Sequence, residues 1–537
     1  MKKIKLRQVA FQCFAILVFI YIIFVYMTHD PIWNKTFPKT TGNTCTVILI
    51  DGLSSSVFNE ELLQNQLPIL DSLKGKSCFV EHGIVSFPTM TGYGFYPFIT
   101  GRDALQSGIL GLRWFDRSRI SGNLRNYVGR TNIHMNDDIT DSIKNFFQLS
   151  APMYTASINT YMNKGVSHDI KTGWAHTTAK YHDYWLFSAL SGIPFVGKYI
   201  SPDHFEHETH AINIAKRQLE KNPKFQWITL PSPDAINHVY GTTQMYRDIL
   251  HHIDSLIGDL IDYSHHELGQ QERMFVIVSD HGVIDVHRNL DYQDIAKKLN
   301  IRMDRGNSVN IFSSDLSQPI EELKELDAFY VINGNLCAYL YFKDPSAEKI
   351  NNWSQKLSSH TLENFPRGDS LIHIPKLISE YEGVDIVAYQ SAENQVSILR
   401  RGDEAKVILR DTNALEYVPI QGNPFNYPDS LFNRPMSEEK WLNLTFNTDY
   451  PSAIYRIYSL VTNPNAGDLV LTSENGYDLA QDYELFVKNY KGGHGGIRKE
   501  IISVPFIINK PNQNDTLIHT LRSEDVGLMI RNYLEQK

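Results

Sequence analysis

Cysteine is scarce in this chain of 537 residues, which contains four. Cys13 lies in an apolar N-terminal run, and Cys45, Cys78 and Cys337 are spread over the rest. No CxxC pair and no Cys/His zinc-finger spacing occurs, which argues against a thiolate metal site and a disulfide-rich framework. Because Cys45 and Cys78 each lie near the start of a predicted strand, one disulfide and two buried free thiols both stay open as interpretations.

An excess of positive charge is also missing, because the formal net charge is -9. This balance argues against a partner such as nucleic acid, whose phosphate backbone usually meets a basic protein face. It does not exclude a phosphate substrate, since bound metal ions supply positive charge locally. Internal repeats and low-complexity tracts are absent, and 42% hydrophobic with 21% charged residues predict a folded core.

Long charge-free apolar runs are absent except near the N-terminus, at Val9–Met27. The length of this run suits a helix that crosses a bilayer. The basic residues before it keep residues 1–8 cytoplasmic by the positive-inside rule, so the rest is exported to a periplasmic, extracellular or lumenal space. No small-residue cleavage site follows, which favours a signal anchor at 9–27 over a cleaved signal peptide. The polar residues 28–43 predict a stalk.

Strand and helix patterns alternate in the next part of the chain. Four apolar runs predict buried strands: Thr46–Ile50, Cys78–Ser86, Phe225–Leu230 and Met274–Ser279. Two stretches with apolar residues every three or four positions predict helices: Glu60–Leu73 and Tyr246–Tyr263. This alternation predicts an α/β fold with a mainly parallel sheet.

The second half of the chain has a different pattern. Alternating apolar and polar residues predict antiparallel strands within Ala328–Phe342 and Val384–Val418. We therefore predict an α+β cap over 290–450, inserted between two parts of a catalytic core at 44–289 and 451–537. Two later apolar runs are expected to return to the core sheet: Leu469–Thr472 and Ile501–Ile508.

Aspartate and histidine residues stand at or just beyond the predicted strand ends and in one glycine-rich segment, Gly492–Gly496. They are Asp51, Asp234, His238, Asp280, His281 and His494. Ligands of parallel sheets bind at the carboxyl ends of strands, so these side chains are expected to meet there. Each residue alone also fits a plainer interpretation, such as a capping aspartate, a surface histidine or a flexible glycine loop. Their joint occurrence predicts a metal centre.

Five segments in this order resemble motifs of the alkaline phosphatase superfamily, and within it the type I phosphodiesterase/nucleotide pyrophosphatase family: Val47–Gly52, Phe87–Gly92, Pro233–His238, Val276–Gly282 and Gly492–Gly496. The resemblance extends from residue 47 to about residue 508. It implies a three-layer core of the alkaline phosphatase type with an inserted cap. Gly94 stands where nucleotide pyrophosphatases carry asparagine, so the resemblance implies the metal chemistry rather than a nucleotide substrate.

The resemblance also implies residue roles. One metal ion is held by Asp51, Thr91, Asp280 and His281, and a second by Asp234, His238 and His494. Thr91, the second threonine of Phe-Pro-Thr-Met-Thr, matches a nucleophile that forms a phospho-threonine, whereas Thr89 matches a structural hydroxyl. Aspartate and histidine donors suit two Zn²⁺ ions and also tolerate Mn²⁺ or Fe²⁺. Weaker candidates for substrate contacts are Gly92, Tyr93 and Asn159.

These inferences predict a membrane-anchored, exported two-metal hydrolase of phosphate esters, with diesters preferred. Its substrate is a small phosphate ester or a lipid head group. Three alternatives stay open: a phosphoryl-group transferase such as one that moves phosphoethanolamine, a phosphomonoesterase, and an inactive binding domain. The lack of further membrane helices argues against the transferase, and the complete ligand set argues against the inactive domain.

Overall fold

The computed structural model describes residues 35–119, 123–172, 203–306, 323–345, 353–480, 489–511 and 516–536, together with residues 14 and 17. The predicted signal anchor at 9–27 lies outside these described residues, apart from positions 14 and 17. Within the described ranges, no helix is both long enough and apolar enough to cross a membrane.

The first sheet forms the centre of the molecule and has eight strands. Their spatial order is Thr516–Arg522, Cys78–Ile84, Ser503–Asn509, Arg273–Val278, Thr44–Ile50, Phe225–Leu230, Thr155–Ile158 and His168–Ile170. All neighbours run parallel except that Ser503–Asn509 is antiparallel to both strands beside it. The prediction of a mainly parallel α/β sheet is confirmed.

The Thr44–Ile50 strand shows why this sheet is the middle of three layers. Every residue of the strand is buried. Cys45, Val47 and Leu49 pack into one hydrophobic core, and Ile48 and Ile50 pack into another on the opposite face. Side chains of a strand alternate between its faces, so a continuous apolar run requires cover on both sides.

Helices supply that cover, and others pack on a second sheet. Those up to residue 306 are Ser55–Leu63, Pro68–Lys74, Tyr96–Thr100, Ile133–Asp138, Phe146–Ser150, His204–Leu219, Ser232–Tyr240, Gln244–Asp262 and Tyr292–Leu299. The later ones are Ser359–Glu363, Ile374–Ser379, Glu438–Thr445, Ala453–Val461, Lys499–Ile502 and Ser523–Glu535. The single helix predicted at Glu60–Leu73 is wrong, because Pro68 lacks the N–H that would continue a helix and instead begins the second of two. The helix predicted at Tyr246–Tyr263 is confirmed.

The second sheet also has eight strands. Their order is Met303–Arg305, Ala328–Asn333, Cys337–Phe342, Leu469–Ser473, Val384–Ala392, Gln395–Arg400, Asp403–Asp411 and Ala414–Gln421. The expectation that Leu469–Thr472 returns to the core sheet is wrong, because this strand pairs with Cys337–Phe342 and Val384–Ala392. A buried apolar run indicates a strand but not the sheet that it joins. The second sheet therefore extends past residue 450.

Three small sheets complete the described strands. One joins Gly476–Asp478, Ile284–Asn289 and Gly492–Gly493, and so fixes the glycine-rich segment beside the first sheet. The others are the pairs Arg113–Phe115 with Leu124–Asn126, and Phe365–Arg367 with Ser370–Ile372.

Cys45 and Cys78 are buried free thiols. Their strands are separated in the first sheet by two others, Ser503–Asn509 and Arg273–Val278. Neighbouring strands lie about 4.8 Å apart, so the two cysteines are roughly 14 Å from each other, beyond the reach of a disulfide. The interpretation as free thiols is confirmed.

Candidate functional site

The carboxyl ends of three adjacent strands meet at one edge of the first sheet. Leu49 lies beside Thr229 on one side and Val278 on the other. The chain then turns so that the Asp51 N–H donates to the Leu230 carbonyl at 3.0 Å. These strand ends bring together the residues that follow them.

The first group at this edge, the Asp51 cluster, consists of Asp51, Asp280 and His281. One ligand atom from each lies within 4.8 Å of the others, and all three residues are buried. His281 Nε2 is 3.3 Å from Asp51 Oδ1 and 3.6 Å from Asp280 Oδ2. Two carboxylates and one imidazole nitrogen thus face a common point.

The second group, the Asp234 cluster, consists of Asp234, His238 and His494, which are likewise buried and within 4.8 Å. Asp234 Oδ1 lies 3.3 Å from His238 Nε2 and 3.6 Å from His494 Nε2. Asp234 and His238 share one face of the helix Ser232–Tyr240. The His281 and His494 rings stack with centroids 3.7 Å apart, so the two clusters are adjacent.

The three imidazoles are oriented in the same way. Each Nδ1 is paired with a backbone carbonyl: His281 with Gly282 at 3.2 Å, His238 with Gly492 at 3.1 Å, and His494 with Thr89 at 2.8 Å. A carbonyl only accepts hydrogen bonds, which assigns a proton to Nδ1 and leaves Nε2 as the atom available to a metal ion. Such a carbonyl partner typically orients metal-binding histidines.

The charges differ between the clusters. Burial, and then the charge of nearby Asp51, raises the pKa of Asp280 well above its usual range. Neither side-chain oxygen of Asp280 has a hydrogen-bond partner among the described residues. Burial also acts to raise the pKa of Asp234, but the imidazoles, His238 first, outweigh it and hold that pKa well below its usual range. A buried carboxyl group without a donor fits a site for a cation.

The candidate nucleophile lies at the rim of the Asp51 cluster. Thr91 Oγ1 is 3.3 Å from Asp51 Oδ1 and 3.2 Å from His281 Nε2, and the residue is partly exposed. The next residue, Gly92, has φ +79° and ψ −61°, and the Tyr93 N–H donates to the Thr91 carbonyl at 3.0 Å. This γ-turn favours glycine, and a Cβ there would lie 3.1 Å from Tyr161 Cγ.

The glycine-rich segment Gly492–Gly496 is packed rather than open. A Cβ on Gly492 would lie 2.0 Å from Asn237 Oδ1, and one on Gly495 would lie 2.2 Å from the Asn333 carbonyl. The His494 carbonyl accepts hydrogen bonds from two backbone N–H groups of the second sheet's hairpin, Asn335 and Leu336, each at 2.8 Å. The alternative interpretation of this segment as a flexible loop is wrong.

The weaker candidates lie in different surroundings. Tyr93 is 0% exposed, and its pKa is raised well above its usual range by burial and then by Asp103, so its ring is not open to a substrate. Asn159 follows the Thr155–Ile158 strand with φ +54°, and its Oδ1 accepts from the Thr172 N–H and hydroxyl at 2.9 and 2.8 Å. Gly92 adjoins Thr91 directly. The contacts of Thr89 were not anticipated, because their partners lie some 400 positions away in the sequence.

A parallel sheet with two carboxylate–histidine clusters and a hydroxyl at its carboxyl edge is the arrangement of a metal-dependent hydrolase. The sequence model of the type I phosphodiesterase / nucleotide pyrophosphatase family matches residues 45–497, well over half of the chain. The protein therefore belongs to this family and is a hydrolase of phosphate esters. Metal dependence is typical of the family.

Solved structures show the same fold. Murine ectonucleotide pyrophosphatase / phosphodiesterase 5, an inactive threonine-to-alanine variant in complex with AMP, is 12% identical with a TM-score of 0.50, over 93% of this chain and 96% of that one. The human protein of the same name is also 12% identical with a TM-score of 0.50, over 92% and 95%. Phosphonoacetate hydrolase from Sinorhizobium meliloti 1021, with phosphonoacetate, is 14% identical with a TM-score of 0.50, over 94% and 98%. No curated protein sequence matches the chain.

Proposed function

We propose that the protein is a two-metal phosphodiesterase in which Thr91 is the nucleophile. One observation carries this proposal: the partly exposed Thr91 hydroxyl lies 3.3 Å from Asp51 and 3.2 Å from His281, at the rim of a buried cluster. A hydroxyl in that position is open to a substrate on one side and adjoins a cation site on the other. The inactive murine relative, which carries alanine in place of a threonine, supports the same assignment.

The donor set supports two divalent ions, and we propose Zn²⁺. Asp51, Asp280, His281 and the Thr91 hydroxyl hold one, and Asp234, His238 and His494 hold the other. Carboxylate oxygens and imidazole nitrogens without thiolates suit Zn²⁺, and Mn²⁺ or Fe²⁺ also fit this chemistry. Bound ions supply the positive charge that lowers the pKa of the Thr91 hydroxyl and balances charge on the phosphoryl oxygens.

The chain's own groups then determine the course of the reaction. Thr91 Oγ forms a bond to phosphorus while the bond to one ester oxygen breaks, and the proton that Thr91 releases is balanced by the proton that the departing oxygen takes up from solvent as it leaves as an alcohol. The product on the enzyme is Thr91 esterified to a phosphoryl group that still carries the second alcohol. Water attacks the same phosphorus, restores the Thr91 hydroxyl and releases a phosphate monoester. The γ-turn at Gly92 holds Thr91 at the rim during both steps.

The solved relatives are in complex with AMP and with phosphonoacetate, both small phosphorus-containing acids. We propose a substrate of this size class, with a lipid head group as one form that it can take. The formal net charge of -9 agrees with such a substrate. Bound metal ions, and not a basic protein face, would neutralise the phosphoryl group.

The experiment compares hydrolysis of bis-p-nitrophenyl phosphate and p-nitrophenyl phosphate by the purified full-length protein with Zn²⁺ or Mn²⁺. We expect faster cleavage of the diester, and a loss of at least about 10³-fold in Thr91→Ala. Thr91→Ser is the matched control, since it keeps a hydroxyl and should retain part of the activity. Normal turnover by Thr91→Ala would rule out the nucleophile. Preference for the monoester would make the protein a phosphomonoesterase, and metal binding without hydrolysis would favour a transferase.

We also propose that Val9–Met27 anchors the protein in a membrane with the catalytic part on the exported side. The support is the sequence alone: an apolar run preceded by basic residues. Full-length protein should stay with membranes after alkaline carbonate extraction, whereas a chain that begins at residue 31 should not. Release of the full-length protein by carbonate would contradict the anchor.

A further inference from the structure

Thr89 is a buried hydroxyl for which the proposed chemistry has no use. It is 0% exposed and lies two positions before Thr91. Its Oγ1 donates to the Gly496 carbonyl at 3.0 Å and accepts from the Gly495 N–H at 2.9 Å. Its own carbonyl accepts from His494 Nδ1 at 2.8 Å. All three hydrogen bonds connect the nucleophile segment to the glycine-rich segment Gly492–Gly496.

We propose that Thr89 is a positioning residue that sets His494 and Thr91 relative to each other. The inference rests on the proposed two-metal site and adds a residue that the ligand set does not include. Through its carbonyl, Thr89 keeps the His494 Nδ1 proton in place, so that Nε2 faces Asp234 at 3.6 Å. Through its hydroxyl, it holds the two backbone units that follow His494.

The glycine-rich segment needs such contacts because its backbone is intrinsically mobile in the unfolded chain. Four of its five residues are glycine, which loses more conformational freedom on folding than any other residue. Gly495 adopts φ +110°, a conformation that few side chains accept. No side chain of the segment other than His494 is available to fix it. Thr89 is therefore placed to hold the segment from outside.

The same contacts reach the nucleophile. Beyond Thr89, the Gly94 N–H donates to the Met90 carbonyl at 2.8 Å, and the γ-turn at Gly92 follows immediately. A displacement of Thr89 is thus transmitted both to His494 and, over two peptide units, to Thr91. Thr89 therefore connects Thr91, which lies beside the Asp51 cluster, to the Asp234 cluster.

The test titrates chelator-treated full-length protein with Zn²⁺ by calorimetry and compares Thr89→Val, which removes the hydroxyl at nearly constant volume, with Thr89→Ser, which keeps it. We expect two Zn²⁺ equivalents in wild type. In Thr89→Val, one equivalent should bind about 10–100-fold more weakly, and the other, whose proposed ligands include Thr91, should change less. In Thr89→Ser, both affinities should remain close to wild type.

Thr100→Val is the matched control. Thr100 is also buried, and its hydroxyl donates to the Tyr96 carbonyl at 2.6 Å and accepts from the Arg102 N–H at 3.2 Å, within its own helix end. This variant should keep both Zn²⁺ affinities. Equal weakening in Thr89→Val and Thr100→Val, or no weakening in Thr89→Val, would overturn the inference. If wild type itself bound no Zn²⁺, the proposed two-metal site would be wrong. If wild type bound Zn²⁺ but Thr89→Val bound it equally well, only the positioning role of Thr89 would be wrong.

Discussion

The Asp51 cluster and the Asp234 cluster contain similar donors on very different supports. The Asp51 cluster stands at the ends of two adjacent parallel strands, whose hydrogen-bond ladder fixes the backbone on both sides. The Asp234 cluster joins the helix Ser232–Tyr240 to the glycine-rich segment Gly492–Gly496. That segment is held by Thr89 and by the hairpin of the second sheet. One half of the site is therefore formed by the sheet, whereas the other depends on contacts between a helix, a glycine-rich segment and the second sheet.

Their charges differ as well. The Asp51 cluster has two carboxyl groups beside one imidazole, and the pKa of Asp280 is raised by burial and by Asp51. The Asp234 cluster has one carboxyl group beside two imidazoles, and the pKa of Asp234 is lowered by His238 and its neighbours against the effect of burial. Without metal, the ionised form of Asp280 is therefore disfavoured in the first cluster, whereas the ionised form of Asp234 is favoured in the second.

The largest effect is expected from Asp280→Asn, which removes an ionisable carboxyl group from the Asp51 cluster. Turnover should fall by more than about 100-fold, because this is a direct candidate ligand and even indirect partners of metal ligands cost up to that much. At a pH high enough to ionise Asp280, the metal-free variant should nevertheless be more stable than metal-free wild type, since a buried carboxylate with a raised pKa is replaced by a neutral amide. Turnover and metal content are measured on the purified variant, and the free energy of unfolding is measured by urea titration in the presence of chelator. Retention of both metals, or no gain in metal-free stability, would contradict the account of this cluster.

A smaller effect is expected from Gly495→Ala, which acts on the Asp234 cluster alone. Its Cβ would lie 2.2 Å from the Asn333 carbonyl at a backbone φ of +110°. One Zn²⁺ equivalent should bind about 10–100-fold more weakly, as for the loss of a supporting contact, and the other should be unchanged.

Gly402→Ala provides the control for Gly495→Ala. Gly402 has φ +91° but no atom within 4 Å of its added Cβ. It should lose about 1–2 kcal/mol of unfolding free energy from the backbone conformation and keep both metal affinities. If Gly495→Ala weakened both Zn²⁺ equivalents alike, the two clusters would not be independently supported.

The smallest signal is the protonation of a single carboxyl group. A raised pKa keeps Asp280 protonated to higher pH than an ordinary carboxyl group, whereas the lowered pKa keeps Asp234 ionised. At mildly acidic pH, infrared difference spectra should show one protonated carboxyl band that disappears on addition of Zn²⁺. The band should be absent from Asp280→Asn and present in Asp234→Asn. A band that is absent from Asp234→Asn and present in Asp280→Asn would show that Asp234, and not Asp280, carries the proton, and would contradict the charge difference between the clusters.

The sequence allowed the Asp51 cluster to be located because both of its segments follow continuous apolar runs. Such runs predict buried parallel strands, and parallel strands bring residues at their carboxyl ends together. Asp51 and Asp280 could therefore be placed at one edge from local pattern alone. The roles of these residues and of Thr91 stay predictions until the variants are measured.

The Asp234 cluster shows where local pattern stops being informative. The sequence did not distinguish a flexible glycine segment from a packed one, because the packing partners of Gly492 and Gly495 are Asn237 and Asn333, far away in the chain. The hydrogen bonds of Thr89 were missed for the same reason. Leu469–Thr472 was assigned to the wrong sheet because strand periodicity carries no information about the neighbouring strand.

The central claim is that Thr91 forms a covalent bond to phosphorus during turnover, and acid quenching followed by peptide mass spectrometry tests it most directly. With bis-p-nitrophenyl phosphate as substrate, the peptide that contains Thr91 should carry a p-nitrophenyl phosphoryl group on that residue, and no such adduct should form in Thr91→Ala. An adduct on another residue, or steady-state turnover with no adduct under conditions in which its hydrolysis is the slow step, would contradict the account.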